Sequence, residues 1–110
     1  MKIKTKTALF IAPIILYASG AFASDAAANW NQHCASCHGK DGSGTTMMGK
    51  KLGVKNYTTA EGQKFSDADA EKAITEGVKD GGKDKMKPYK DKLSGDEIKA
   101  LITYIRSLKK

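Results

Sequence analysis

The residues of this chain best suited to do chemistry stand together, in Cys34-Ala35-Ser36-Cys37-His38. Two thiols three positions apart lie on one side of a helical turn, where they can add to the two vinyl groups of one haem edge. The next residue then projects its imidazole toward the iron. Thioether bonds would fix the cofactor, and His38 would supply one axial ligand. The other uses of such a pair fit less well. A thioredoxin-like Cys pair belongs beside a βαβ pattern, and the sequence has none. A structural zinc site takes four Cys or His ligands, and a fourth could only be His33, cramped against Cys34. The chain has two cysteines in all, so a disulfide between them before haem is added is the remaining alternative. The spacing predicts one haem, covalently bound through Cys34 and Cys37.

An iron held by one histidine is either open at its sixth position, which invites gas or peroxide chemistry, or closed, and His/Met closure favours electron transfer. His33 adjoins Cys34 and would point away from the far face of the haem. Met47 and Met48 follow His38 so closely that their segment could barely pass round the haem edge. For them the expected role is core filling or exposure beside that edge. Met86 lies beyond a predicted helix, in a lysine-rich stretch that has little other reason to be buried, with Pro88 to stiffen it. Met86 is therefore the expected sixth ligand, and His38 and Met86 the expected pair on the metal.

The elements that must position these residues read as helices. Asp25 to His33 is alanine-rich and helix-compatible, with Trp30 four before Cys34, on the same face, as a core residue. Gly39 to Gly44 reads as turns, and Met47 to Tyr57 as a loop anchored by Leu52 and Val54. Thr58 to Glu61 could cap a short helical turn. Ser66 is an N-cap with an acidic first turn behind it, Ala70, Ala73 and Ile74 give that helix its apolar stripe, and Gly77 ends it. Val78 to Leu93 shows no periodicity. Ser94-Gly95-Asp96-Glu97 is a capping box, and Ile98, Leu101, Ile102, Ile105 and Leu108 repeat on one face of a closing helix bordered by Tyr104. The predicted class is all-α.

Composition bounds what the chain can be. Of its 110 residues, the first 23 read as a cleaved signal peptide: Lys2, Lys4 and Lys6, an apolar Thr7 to Ala18, and Ala21-Phe22-Ala23 as the cleavage site. The apolar run is short for a membrane span, which takes roughly 20 residues. The alternative is an uncleaved anchor. Residues 24–110 would then form a single small domain, of a size that often needs a staple, and a haem would serve as one. Export is compatible with two cysteines spent on haem and no structural disulfide. Over these residues sixteen Lys and Arg face twelve Asp and Glu. Basicity so mild and so interspersed does not read as nucleic-acid binding, though it permits an acidic protein partner.

Four stretches resemble the class I, mitochondrial-like c-type cytochromes, of the small monohaem type of bacterial periplasms: Cys34-Ala35-Ser36-Cys37-His38-Gly39, Asp41-Gly42-x-Gly44, Met86-Lys87-Pro88-Tyr89 and Leu101-Ile102-Thr103-Tyr104-Ile105. The resemblance spans nearly all of residues 26–108. It implies that the first and last helices cross beside the haem, with Trp30 meeting Tyr104, and that Met86 stands at the ligand position. It also implies that the hydroxyl of Tyr57 or Tyr89 could bond a propionate; the plainer reading is a ring turned in and a hydroxyl in water. Two departures stand out. Ala26 occupies a helix-crossing position where the family often has glycine, so the crossing is expected to be slightly wider. The family's proline between residues 49 and 53 is missing, so another carbonyl of Met47 to Leu52 is expected to orient His38.

The first functional reading is a soluble periplasmic electron carrier, a monomer and not an enzyme. It would pass single electrons through an exposed haem edge while briefly docked to redox proteins, without stable attachment to the membrane. The second is a dedicated electron-accepting subunit of a periplasmic dehydrogenase or oxidase. The third is an open-site haem enzyme or gas sensor.

Overall fold

A computed structural model describes residues 20–110, with side chains from Asp25 onward. The expected signal peptide lies outside the described residues, apart from its last four, whose backbone opens the first helix. No helix among the described residues is long and apolar enough to cross a membrane.

Helix α1 (Gly20–Asn29) runs unbroken through a π-helical turn, Trp30–Cys34, into α2 (Ala35–His38). The Ala35 N–H reaches back five residues to the Trp30 carbonyl. This wider turn brings both Cys34 and Ala35 against the core. Three further helices follow, α3 (Met47–Leu52), α4 (Asp67–Glu76) and α5 (Gly95–Ser107). As the apolar spacing predicts, α5 buries Ile98, Leu101, Ile102 and Ile105. Its capping box is formed: Ser94 Oγ accepts from the Glu97 N–H at 3.1 Å, and Glu97 Oε1 accepts from the Ser94 N–H at 3.0 Å. The other Glu97 oxygen accepts from the Asn29 side chain at 3.0 Å, which ties α5 to α1. Helix α4 starts at its Ser66 cap and stops at Gly77, whose φ is +77°.

Two expectations fail. The class is not all-α: Val78–Asp80 (β1) and Lys83–Met86 (β2) pair antiparallel, Asp80 opposite Lys83. The turn between them is Gly81-Gly82, both at positive φ (58° and 80°), as a two-residue hairpin of this type requires. Its strands are almost wholly exposed, so they carry no apolar alternation that would reveal them. Nor is Met47 to Tyr57 all loop. Thr46 caps α3, its Oγ1 accepting from the Gly49 N–H at 2.9 Å, and Gly53 closes it in the left-handed region.

Helices α1 and α4 both pack on α5. The buried apolar side chains are Ala26, Trp30, Ile74, Leu93, Ile98, Leu101, Ile102 and Ile105. Trp30 is 1 % exposed, and its ring lies 5.7 Å from that of Tyr104; the two end helices therefore meet through this aromatic pair. Behind them, the Arg106 guanidinium donates to the Gln63 and Phe65 carbonyls, each at 2.7 Å, and to Asp67 at 2.8 Å. These bonds hold the 63–67 segment to α5. Trp30→Ala should cost about 3–5 kcal/mol, as for other large core aromatics. Urea titration of the haem-loaded variant measures this, and an unchanged midpoint would contradict the packing described.

Candidate haem-binding site

Cys34 and Cys37 are free, half-buried thiols one turn apart; the disulfide alternative is not formed. Burial, with Cys37 alongside, pushes the Cys34 thiol up to about 11. Burial also lowers the pKa of His38, which favours a neutral imidazole with a lone pair to give. Its ring lies 5.6 Å from Trp30 and 5.4 Å from Tyr57. The Trp30 indole N–H donates to the carbonyl of Gly39, the residue after His38, at 3.0 Å. The positive φ of Gly39, +84°, turns the chain at that point.

Helix α3 supports this turn from outside. Thr46 Oγ1 donates to the Cys37 carbonyl at 2.6 Å, and the Gly44 N–H donates to the His38 carbonyl at 2.8 Å. Gly49 sits so close that a Cβ there would overlap the Cys37 carbonyl oxygen. The expected carbonyl from Met47 to Leu52 does not reach His38. Its Nδ1 is buried without a hydrogen-bond partner. The physical reason is that the stretch is helical: the Gly49 and Lys50 carbonyls face along α3 and accept from Gly53, and Gly49 also accepts from Val54.

Met86 ends β2, half-buried and packed against the core cluster. Met47 and Met48 are 90 % and 46 % exposed; of the two roles expected of them, core filling is excluded. The Met86 segment lies on the end of α4. The Tyr89 N–H donates to the Ile74 carbonyl at 2.9 Å, and a Cβ on Gly77 would come within 2.6 Å of the Met86 carbonyl oxygen. The Tyr89 hydroxyl donates to the His33 carbonyl at 3.0 Å, where the plainer reading places it in water. Tyr57 is half-buried between Trp30, His38 and Phe65, and its phenol is pushed up by burial and then by Cys34.

These residues fit a haem. Two free thiols and a neutral imidazole share one turn, and with Nδ1 enclosed by protein, Nε2 is the nitrogen left to bind a metal. Half-buried Tyr57, Met86 and Tyr89 add apolar surface beside them. The family model described as cytochrome c oxidase, cbb3-type, subunit III matches residues 21–105. The chain belongs to this family of c-type cytochrome domains. It is similar to the solved structure of the KustC0563 c-type cytochrome, with 39% identity and a TM-score of 0.69, over 78% of this chain and 99% of that one. A mutant form of the latter matches with 38% identity and a TM-score of 0.66, over 77% and 99%. No curated protein matches the chain.

A c-type cytochrome domain carries covalently bound haem c and supports haem-based electron transfer. Sequence reasoning missed several residues that frame the site in this one. Thr46 and Gly49 were legible as the cap and close-approach glycine of a short helix between Thr46 and Gly53. Gln63, which bonds the Tyr57 and Ile105 carbonyls through Nε2 at 2.7 and 2.8 Å, left no local signal, since it joins a nearby loop carbonyl to one 42 residues on. Gly49→Ala should cost about 1–3 kcal/mol through overpacking and shift the NMR resonances of His38. A fully accommodated methyl, with neither effect, would contradict the contact between α3 and the attachment turn.

Proposed function

We propose that the mature chain, residues 24–110, is a soluble periplasmic one-electron carrier and not an enzyme. One haem c would be joined to Cys34 and Cys37 and ligated by His38 and Met86. The observation that carries this reading is the strapping of the half-buried Met86 segment to the helix that bears the cysteines, through Tyr89 and His33. Bound there, haem c supplies ferric–ferrous chemistry, and a His/Met pair raises the potential. The protein's own part is to hold and to shield. The thiols anchor, the half-buried imidazole keeps its lone pair, and Trp30 and Tyr57 exclude water from the His38 side. The exposed lysines of residues 79–92 favour an acidic redox partner, met briefly by a monomer.

The family description favours a second reading, in which the domain delivers electrons within or to an oxidase. Stable co-purification with such an enzyme would support it over a free carrier.

The intact mass of the purified protein should equal residues 24–110 plus one haem. Met86→Ala should open the iron to water and imidazole, lower the potential, and leave the fold largely intact. Met47→Ala and Met48→Ala should leave the iron spectrum unchanged. Proton NMR of the reduced protein assigns the ligand, because the methyl of a bound methionine is shifted far upfield. Persistence of that signal in Met86→Ala would remove Met86 from the site.

Docking by charge raises association rates and is screened by salt. Electron transfer to an acidic partner, followed by stopped flow, should therefore slow as ionic strength rises. A salt-independent rate would show that these lysines only solvate the surface.

A further inference from the structure

Tyr89 stands three residues after Met86 and is held from three sides. Its N–H bonds the Ile74 carbonyl at 2.9 Å, and the next N–H, of Lys90, reaches the Thr75 carbonyl at 3.3 Å. Its ring meets that of His33 edge-on, with centroids 5.5 Å apart. Its hydroxyl donates to the His33 carbonyl at 3.0 Å, across 56 residues of chain. His33 lies within the π turn and directly precedes Cys34. The Tyr89 hydroxyl therefore bonds the helix at its π turn. Burial, and then Cys34 and Cys37, push the phenol upward, so it remains a donor through the neutral range.

We infer that Tyr89 is a positioning residue for Met86: its hydroxyl clasps the Met86 segment to the helix carrying Cys34 and so sets how readily the sixth iron position opens. The inference rests on the ligation proposed above. Hairpin β1–β2 gives the segment little other restraint, because its strands are exposed apart from Met86 itself. On the α4 side, Gly77 allows the Met86 to Pro88 backbone to lie close. The clasp supplies the opposing hold.

The test compares haem-loaded wild type, Tyr89→Phe and Asp67→Ala. Tyr89→Phe keeps the ring and removes the bond. Asp67→Ala removes the bond to Arg106 and an acidic residue from the first turn of α4, without touching the segment. The readout is the rate at which imidazole replaces the sixth ligand of the ferric protein, followed by loss of the red absorption band of a sulfur–iron bond. One hydrogen bond predicts roughly two- to tenfold faster replacement in Tyr89→Phe. Asp67→Ala should lower the urea midpoint and leave that rate unchanged. A readout without iron is amide exchange, which should quicken at Tyr89 and Lys90 in Tyr89→Phe and stay unchanged at Leu101. If the wild type shows the band but Tyr89→Phe matches it in rate, or if Asp67→Ala speeds replacement equally, the clasp is overturned alone. If the wild type lacks the band, Met86 ligation fails and the inference falls with it.

Discussion

The burial of Trp30 is the constraint on which the rest of the structure depends. A buried indole must find an acceptor for its N–H, and here the acceptor is the Gly39 carbonyl at 3.0 Å. That bond fixes the backbone just after His38. The same ring lies against Tyr104 on α5 and against His38 itself. One side chain thus joins the first helix, the last helix and the attachment turn. Each of these contacts limits the other two: α1 cannot slide on α5 without moving Gly39, and His38 cannot rotate freely while Trp30 and Tyr57 flank it.

Around this point the domain divides its labour. The buried apolar side chains belong to α1, the start of the π turn, α4, Leu93 and α5. The elements that carry or support the candidate ligands contribute almost none. Helix α2 buries no side chain, α3 buries only Gly49, and β2 offers Met86 half-buried. These parts are held by backbone closeness and hydrogen bonds instead. Gly49 lets α3 press on the Cys37 carbonyl, and Gly77 lets the Met86 segment press on the end of α4. Side chains at either place would force the supporting element outward.

Much of this was legible in the sequence, for reasons that differ by element. Cys34, Cys37 and His38 are adjacent in the chain, so their chemistry could be read without a fold. The caps at Ser66 and Ser94 and the stripe from Ile98 to Ile105 are local patterns of the kind helices need. The hairpin escaped because its strands are solvated and show no apolar alternation, although Gly81-Gly82 was a usable turn signal. The short helix α3 escaped because Met47 and Met48, its largest apolar residues, face water. The π turn has no compositional mark. It makes a contact between residues 33 and 89, and no pattern within a helix reports a partner so distant. The expected orienting carbonyl for His38 failed for a related reason: once α3 is a helix, its carbonyls are committed to its own end.

The unequal packing has a consequence for how the two sides of the site can behave. Local opening costs least where few apolar contacts and many exposed hydrogen bonds hold the chain. The β1–β2 hairpin and the Met86 segment are such a region, whereas His38 stands against Trp30, which is almost fully buried. Fluctuations that free Met86 therefore need not disturb Trp30, Leu101 or the α1–α5 packing. Fluctuations that free His38 must disturb them. The His38 side shares the stability of the whole domain, while the Met86 side is governed by a few nameable bonds, from Tyr89 to Ile74 and to His33. With Met86 ligating as proposed, sequence change in the 77–93 segment would adjust the exposure of the iron's sixth position while the frame around Trp30 stays as it is.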